Sequence, residues 1–186
     1  MTAAPQARLL VDANEGYTPA QARAFLRGVA AAGIALDLVE QPVPRADTPV
    51  LAELQREFGV PVCADESMRG PADALALIRT DAVRMLNVKL MKFGLADALD
   101  IIALARSAGV ECMVGGMVES SVSMSFSAAL AAANQPPFTH IDLDTPLFIR
   151  PEHDLGGIAY AGEVISLPIG EPGSGVDAAA YFDVEG

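Results

Sequence analysis

The sequence predicts an α/β fold, a partial barrel built from about six strand-helix units. Short runs rich in β-branched and apolar residues alternate with longer segments rich in Ala and Leu, which is typical of parallel strands joined by crossover helices. The chain has 186 residues, fewer than the roughly 250 of a complete eight-stranded barrel. We therefore expect an incomplete barrel.

The predicted strands are short and evenly spaced. They cover residues 8–11, 36–39, 61–63, 82–88, 111–114 and 139–141. The predicted helices are residues 19–32, 49–58, 71–79, 95–108 and 122–132. Pro marks the start of several helices, and Gly33, Gly59 and Gly109 suit helix ends. After residue 145 the alternation of strand-like and helix-like segments ends. We therefore predict a partial barrel over residues 1–145 and an extended segment with a loose tail over residues 146–186.

Composition and charge exclude several classes of protein. Hydrophobic residues make up 52% of the chain, which argues against disorder, and no apolar run approaches the roughly 18 residues that cross a bilayer. The formal charge of −12 would repel nucleic acids and anionic membranes. The N-terminus has no secretory pattern, so we expect a cytoplasmic protein that binds neither nucleic acid nor membranes. Cys63 and Cys112 lie in apolar strand-like segments and suit reduced core residues.

Three carboxylates fall in phase with the repeat. Asp12 and Glu40 end the first two strands, and Asp65 follows the third. Barrel enzymes carry their active sites at this end of the strands, and neighbouring strands lie about 4.8 Å apart. Three acids meeting there would repel each other without a cation. The pattern predicts a site for Mg²⁺, with Mn²⁺ as a substitute, although each acid alone could be a loop residue or a helix cap.

A lysine follows the next predicted strand. Lys89 lies after a run of strong strand formers, in the segment NVKLMKFG. Beside a metal in a barrel mouth we expect its pKa to be depressed, which suits a general base. The alternative is a surface lysine at a strand end. We interpret Lys92 as an ordinary surface residue.

The segments VDANEGY, VEQPVP, CADES, NVKLMKFG, GGMVESSVS and IDLDT resemble the dipeptide epimerases, in the muconate-lactonizing subgroup of the enolase superfamily. The resemblance runs from about residue 9 to about residue 176. It implies an enolase-type barrel. It also implies that Asp12, Glu40 and Asp65 are the metal ligands and that Asn14 supports them. Lys89 is then the catalytic lysine.

The same resemblance implies a substrate. Asp142 and Asp144 in IDLDT would face the α-ammonium group of a dipeptide such as L-Ala-L-Glu, and the backbone around Met117 would meet the substrate carboxylate. Alternation along an extended segment puts both carboxylates on one side, although capping or a turn is the alternative. The implied reaction is epimerisation at the α-carbon through an enediolate that Mg²⁺ stabilises. His140 and His153 match no catalytic histidine, so we expect structural roles for them.

The sequence departs from the family ahead of its DAN motif. Only eleven residues precede that motif, so the family's capping domain, its first two barrel strands and the KxK motif with the opposite-face lysine are expected to be absent. The chain is then a truncated gene product, a product with a mis-assigned start, or one part of a split enzyme. Its protein partner would be a missing N-terminal half or, in a homo-oligomer, a second copy of the chain. A cycloisomerase or succinylbenzoate-synthase-like activity, and an inactive remnant, stay open as alternatives.

Overall fold

The computed structural model describes residues 7–144, 148, 156–162, 164–168, 170 and 173–177. Six parallel strands form one sheet in chain order, and a helix follows each of the first five. The strands are β1 (Leu10–Asp12), β2 (Leu38–Glu40), β3 (Val62–Ala64), β4 (Met85–Val88), β5 (Glu111–Gly115) and β6 (Phe138–Asp142). The helices are α1 (Pro19–Ala31), α2 (Pro49–Phe58), α3 (Pro71–Arg79), α4 (Leu90–Ala108) and α5 (Ser121–Ala133), with a 3₁₀ turn at Arg45–Asp47. The sheet curls into part of a barrel, which confirms the predicted fold class.

Helix boundaries follow local sequence signals. Thr18 and Gln21 form a capping box, in which each side chain accepts a hydrogen bond from the other's backbone N–H. Pro19 follows this cap, and proline also occupies the first turn of α2 and of α3, where its missing N–H leaves no hydrogen bond unmade. Helices α2 and α4 end at Gly59 and Gly109, both in the left-handed conformation that glycine adopts without strain.

Helix α4 begins earlier than the sequence predicts. The predicted helix covers residues 95–108, whereas the structure adds a turn that starts at Leu90. Gly94 has φ 76° and ψ −178°, so a kink separates this turn from the long helix. Within the turn the N–H of Lys92 donates to the carbonyl of Lys89 at 3.0 Å. The turn therefore places Lys92 beside the end of β4.

The sheet has an apolar cluster on each side. The larger cluster lies between the strands and the helices, and it includes Val39, Val62, Leu86 and Val114. The smaller cluster comprises Leu38, Cys63, Met85 and Met113, from four adjacent strands. Because side chains alternate along a strand, this second cluster occupies the concave face of the sheet. Residues two positions further along share that face, and they are Glu40, Asp65, Asn87 and Gly115.

The first and last strands approach each other at the N-terminal end of the sheet. The guanidinium of Arg8, just before β1, lies 3.3 Å from His140 Nε2 on β6 and 3.2 Å from Asp37 Oδ1. The other ring nitrogen of His140 lies 3.0 Å from Thr139 Oγ1. The ring nitrogens of His140 thus contact Arg8 and Thr139, and neither contact involves one of the acids at the strand ends. His153 lies outside the described residues.

A β-hairpin follows the barrel strands. Its strands β7 (Ala159–Ala161) and β8 (Val164–Ser166) pair antiparallel. Ile158 joins the larger core cluster, and Tyr160 packs against it. The hairpin therefore packs on the barrel. Residues 178–186 lie outside the described residues, and the boundary at residue 145 stays a prediction.

Two further expectations concern the chain as a whole. Cys63 and Cys112 are both buried and unpaired, so the prediction of reduced core thiols is confirmed. Within the described ranges, no helix combines the length and apolar character that crossing a bilayer requires.

Candidate active site

The first two predicted acids lie side by side at the strand ends. Asp12 pairs with Glu40 in the register between β1 and β2, and Glu40 is only 4% exposed. Asn87 Nδ2 donates to Glu40 Oε1 at 2.6 Å. Burial raises the pKa of Glu40 to about 7 against the opposing effect of this hydrogen bond, and the charges of Asp12 and Asp65 add to the increase. The carboxylates of Asp12 and Asp65 therefore repel that of Glu40 at this end of the sheet, and the hydrogen bond from Asn87 only partly offsets the combined effect of burial and this repulsion.

Two ammonium groups hold the third acid. Lys89 Nζ lies 2.6 Å from Asp65 Oδ2, and Lys92 Nζ lies 2.7 Å from Asp65 Oδ1. Lys92 also donates to the backbone carbonyls of Asn87, at 2.8 Å, and Asp65, at 3.1 Å. Burial alone would raise the pKa of Asp65, but the charges and hydrogen bonds of the two lysines lower it overall. Asp65 is thus ionised and fixed in orientation.

The structure contradicts one of the expectations about these lysines. The sequence predicts Lys92 at the surface, yet its side chain is only 14% exposed, and burial lowers its pKa despite the attraction of Asp65. A depressed pKa of Lys89 beside a bound metal stays a prediction. Burial does lower this pKa, but the hydrogen bond and charge of Asp65, with the charges of Glu40 and Asp12, raise the pKa of Lys89 above its usual value. Lys89 is therefore protonated in this arrangement.

Asn87 and Gly115 complete the site, and neither is a predicted site residue. A Cβ on Gly115 would lie 2.6 Å from Asn87 Oδ1 and 3.0 Å from Lys89 Cε, so glycine leaves the room that both side chains occupy. Among the described residues, no donor reaches the buried acceptors Asn87 Oδ1 and Glu66 Oε2. A signal for Asn87 does exist in the sequence, since it stands two residues before Lys89 and residues two apart in an extended segment share a face.

Gln41 organises the loops that follow β2 and β3. Its Oε1 accepts from the N–H groups of Asp65, at 3.0 Å, and Ser67, at 3.1 Å. Its Nε2 donates to the Val43 carbonyl at 2.9 Å and to Ser67 Oγ at 2.8 Å. The Gln41 amide is fully buried and uses both acceptor positions and both donors. Sequence reasoning missed this residue, because a polar residue after a strand usually indicates a solvated loop.

Asn14 and Met117 lie in loops at the same end of the sheet. The N–H of Asn14 donates to Asp12 Oδ1 at 2.9 Å, which fixes the turn after β1. The N–H of Met117 donates to Glu119 Oε1 at 2.8 Å. Glu119 is 4% exposed and its other oxygen accepts from Ser123 Oγ. In this structure the Met117 N–H is therefore engaged within its own loop.

Asp142 ends β6 and Asp144 follows two residues later; together they form the acidic pair. Asp142 is opposite Gly115 in the register with β5. Asp142 and Asp144 are exposed, whereas Leu143 between them is 1% exposed, which is the alternation expected of an extended segment. Partial desolvation of its carboxyl group and the charge of Asp144 raise the pKa of Asp142, while Lys89 opposes the increase. Asp142 therefore lies within electrostatic range of Lys89.

The donors suit a hard cation, although they are not gathered around one point. In the described part of the chain, no three His, Cys, Asp or Glu side chains are arranged to hold a metal ion. Both oxygens of Asp65 instead contact lysines. Carboxylate and amide oxygens are the ligands that Mg²⁺ prefers, and the unpartnered Glu66 Oε2 and Asn87 Oδ1, with the raised pKa of Glu40, indicate that positive charge would be favourable here.

Comparisons with known proteins agree with this architecture. Residues 1–181 match the family described as enolase C-terminal domain-like. An aromatic dipeptide epimerase from Herpetosiphon aurantiacus is 47% identical over 165 residues, covering 89% of this chain and 46% of that protein. The substrate-liganded L-Ala-D/L-Glu epimerase from Bacillus subtilis is 39% identical with a TM-score of 0.83, covering 91% of this chain and 47% of that one. A dipeptide epimerase from Enterococcus faecalis, complexed with Mg and L-Leu-L-Tyr, is 35% identical with a TM-score of 0.76, covering 82% and 43%.

These likenesses extend along most of the chain, and the structural ones include the curled parallel sheet. The chain spans about half the length of the curated relatives it matches. It therefore belongs to the enolase C-terminal domain-like family, as a relative of the dipeptide epimerases in the enolase superfamily.

Proposed function

We propose that this chain carries the metal site and one base of an epimerase that inverts the α-carbon of a dipeptide such as L-Ala-L-Glu. The observation that carries the proposal is the approach of Lys89 Nζ to 2.6 Å from Asp65 Oδ2. Removing a proton next to a carboxylate requires a base beside groups that can hold a cation. The names of the relatives, which are dipeptide epimerases, support the same reaction class.

Mg²⁺, or Mn²⁺ in its place, would be held by Asp12, Glu40 and Asp65. The E. faecalis relative complexed with Mg supports this choice of ion. When bound, the cation would neutralise the charge that develops on the substrate carboxylate as the α-proton leaves. The buried carboxylate of Glu40 would then face a cation rather than two like charges.

Lys89 would move the proton. Its ammonium group is bound to Asp65 in this structure, so it must leave that carboxylate and lose a proton before it can act as a base. Lys89 and Lys92 are the only lysines in the sequence, and all three donors of Lys92 are used within the protein. This chain then offers a base to one face of the α-carbon, and the lysine for the other face would come from an N-terminal half or a second copy.

The acidic pair favours a dipeptide over the substrates of related reactions. Asp142 and Asp144 present two exposed carboxylates, and Asp142 lies within electrostatic range of Lys89; such a pair suits an α-ammonium group. Cycloisomerase and succinylbenzoate-synthase substrates offer no such cation. We therefore rank epimerisation above those alternatives.

Deuterium exchange tests the proposal. The purified chain with MgCl₂ is incubated in D₂O with L-Ala-L-Glu or L-Ala-D-Glu, and NMR follows deuterium at the Glu α-carbon together with the ratio of epimers. We expect exchange from one epimer, little inversion, and loss of exchange in Lys89→Met or with EDTA. The surface variant Arg27→Gln is the matched control and should exchange like the wild type.

The outcomes separate the parts of the proposal. Absence of exchange in the wild type, or exchange that survives Lys89→Met, would contradict the role of Lys89. Efficient inversion by the chain alone would overturn the one-base argument. Inversion that appears only after a separately expressed N-terminal half is added would identify the source of the second lysine.

A further inference from the structure

The hairpin contacts the segment that carries the acidic pair. The hydroxyl of Tyr160, on β7, donates to the backbone carbonyl of Leu143, the residue between Asp142 and Asp144. Burial and the charge of Asp144 raise the pKa of Tyr160, so the hydroxyl keeps the proton that it donates. Leu143 itself is buried in the core. Its backbone is thus held from one side while the two carboxylates remain exposed.

The sheet itself does not hold this segment. β6 is the last strand of the sheet, and its register with β5 ends at the pair Gly115 and Asp142. Leu143 and Asp144 therefore lie beyond the ladder of backbone hydrogen bonds. A contact from outside the sheet has to fix them if the two carboxylates are to keep a set separation.

The hairpin is anchored well enough to provide that contact. The N–H of Ile158, next to β7, donates to Ser125 Oγ on α5 at 2.9 Å, and both residues are buried. Gly157 packs so closely against Ser125 that a Cβ at residue 157 would overlap the hydroxyl. Tyr160 thus belongs to an element fixed to α5, and it connects α5 to the end of β6.

We propose that Tyr160 is a positioning residue that fixes Asp142 and Asp144 for recognition of a substrate's α-ammonium group. This inference rests on the proposed function and assigns the hairpin a part in substrate selection. It requires that loss of the Tyr160 hydroxyl weaken binding of a free amine while the rest of the ligand binds as before. A hydroxyl with a merely structural role would affect all ligands alike.

The test compares two ligands that differ in that amine. L-Ala-L-Glu carries the α-ammonium group, and N-acetyl-L-Ala-L-Glu lacks it. Isothermal titration calorimetry with MgCl₂ gives the ratio of their affinities for the wild type, for Tyr160→Phe, and for the matched control Tyr17→Phe, which removes a hydroxyl from the ring stacked on Phe25. We expect the wild type to prefer the free amine, Tyr160→Phe to reduce that preference roughly fivefold, and Tyr17→Phe to retain it.

Each outcome decides something. A wild type without preference for the free amine, or without binding, contradicts the proposed function and this inference with it. A preference that Tyr160→Phe retains overturns the inference alone, as does an equal loss of affinity for both ligands. Backbone chemical shifts give a readout without substrate: those of Asp142 and Asp144 should move toward random-coil values in Tyr160→Phe and stay unchanged in Tyr17→Phe. Unchanged shifts in Tyr160→Phe would also overturn the inference.

Discussion

Lys92 Nζ lies 2.7 Å from Asp65 Oδ1, and the same ammonium group donates to the backbone carbonyls of Asn87 and Asp65. All three of its N–H donors are used inside the protein. Burying an ion costs several kcal/mol, which only well-placed partners offset. Lys92 thus connects the end of β3 to the end of β4 through a fully partnered charge.

Replacing Lys92 should destabilise the chain more than replacing Lys89. Lys92→Met removes three hydrogen bonds and leaves Asp65 with one cation, so we expect the free energy of unfolding to fall by about 2–4 kcal/mol. Lys89→Met changes the net charge equally but removes one hydrogen bond, and its loss should be about 1–2 kcal/mol. Urea denaturation in EDTA measures both. Equal losses, or a larger loss for Lys89→Met, would contradict the role given to Lys92.

The elements most predictable from sequence are those with a signal at both ends. Helix α2 covers the predicted residues because Pro49 begins it and Gly59 ends it. The predicted strand over residues 82–88 is too long, since β4 begins at Met85. Ala82 and Val83 are buried but precede the strand. Composition cannot distinguish a buried loop from a buried strand, because both exclude water.

Some residues of the candidate site could likewise be predicted from the sequence, and others could not. The predicted acids and Lys89 could be found because they stand in phase with the strand ends. Gln41 could not, because its role depends on contact with the N–H of Asp65, 24 residues away. Lys92 is carried to the mouth by the turn before the kink at Gly94, and no periodic pattern indicates a kinked turn.

Glu40→Gln should have opposite effects with and without metal. The pKa of Glu40 is about 7 in the folded chain and about 4.3 when unfolded. Its contribution to stability is therefore lost as pH rises between those values, by up to about 4 kcal/mol above pH 7. In EDTA at pH 8 we expect Glu40→Gln to raise the free energy of unfolding by about 1–3 kcal/mol. With MgCl₂ it should lack the stabilisation that a bound ion gives the wild type.

Urea denaturation at pH 8 measures both effects, and Glu53→Gln is a suitable control. Glu53 pairs with Arg23 at the surface, so its loss should change stability by at most about 1 kcal/mol and leave the response to MgCl₂ intact. If Glu40→Gln destabilises the chain in EDTA, burial of Glu40 is not unfavourable. If MgCl₂ stabilises it as much as the wild type, Glu40 is not a ligand.

Gly115→Ala should disturb both neighbours of that glycine. The added Cβ would lie 2.6 Å from Asn87 Oδ1 and 3.0 Å from Lys89 Cε, and Asn87 is fully buried. Because a packed side chain can yield little, we expect a loss of about 1–3 kcal/mol in the free energy of unfolding and slower deuterium exchange. Gly28→Ala is the control: it lies in α1 with no atom within 4 Å of the new Cβ, so it should stabilise by up to about 1 kcal/mol. Similar effects at both positions would refute the steric argument.

The buried thiols should make the fold less stable at high pH. Burial raises the pKa of Cys112 to about 12 and that of Cys63 well above its usual value, while an unfolded thiol ionises near pH 8.5. Their contribution to stability is therefore complete below about pH 8.5 and is lost above it. By pH 10 the unfolded state gains about 2 kcal/mol per thiol.

A chain with both cysteines replaced separates this effect from other titrations. The variant with Cys63→Ala and Cys112→Ala starts with a lower free energy of unfolding at pH 7, because each replacement removes buried volume. Between pH 7 and pH 10, however, it should lose less stability than the wild type, by about 2 kcal/mol for each thiol removed. Urea denaturation at the two pH values, with reductant present, gives both differences. Lysine and tyrosine titrations are common to the two proteins and cancel in the comparison. Equal losses of stability in the two proteins would mean that the folded thiols ionise as readily as unfolded ones, contrary to their burial in β3 and β5.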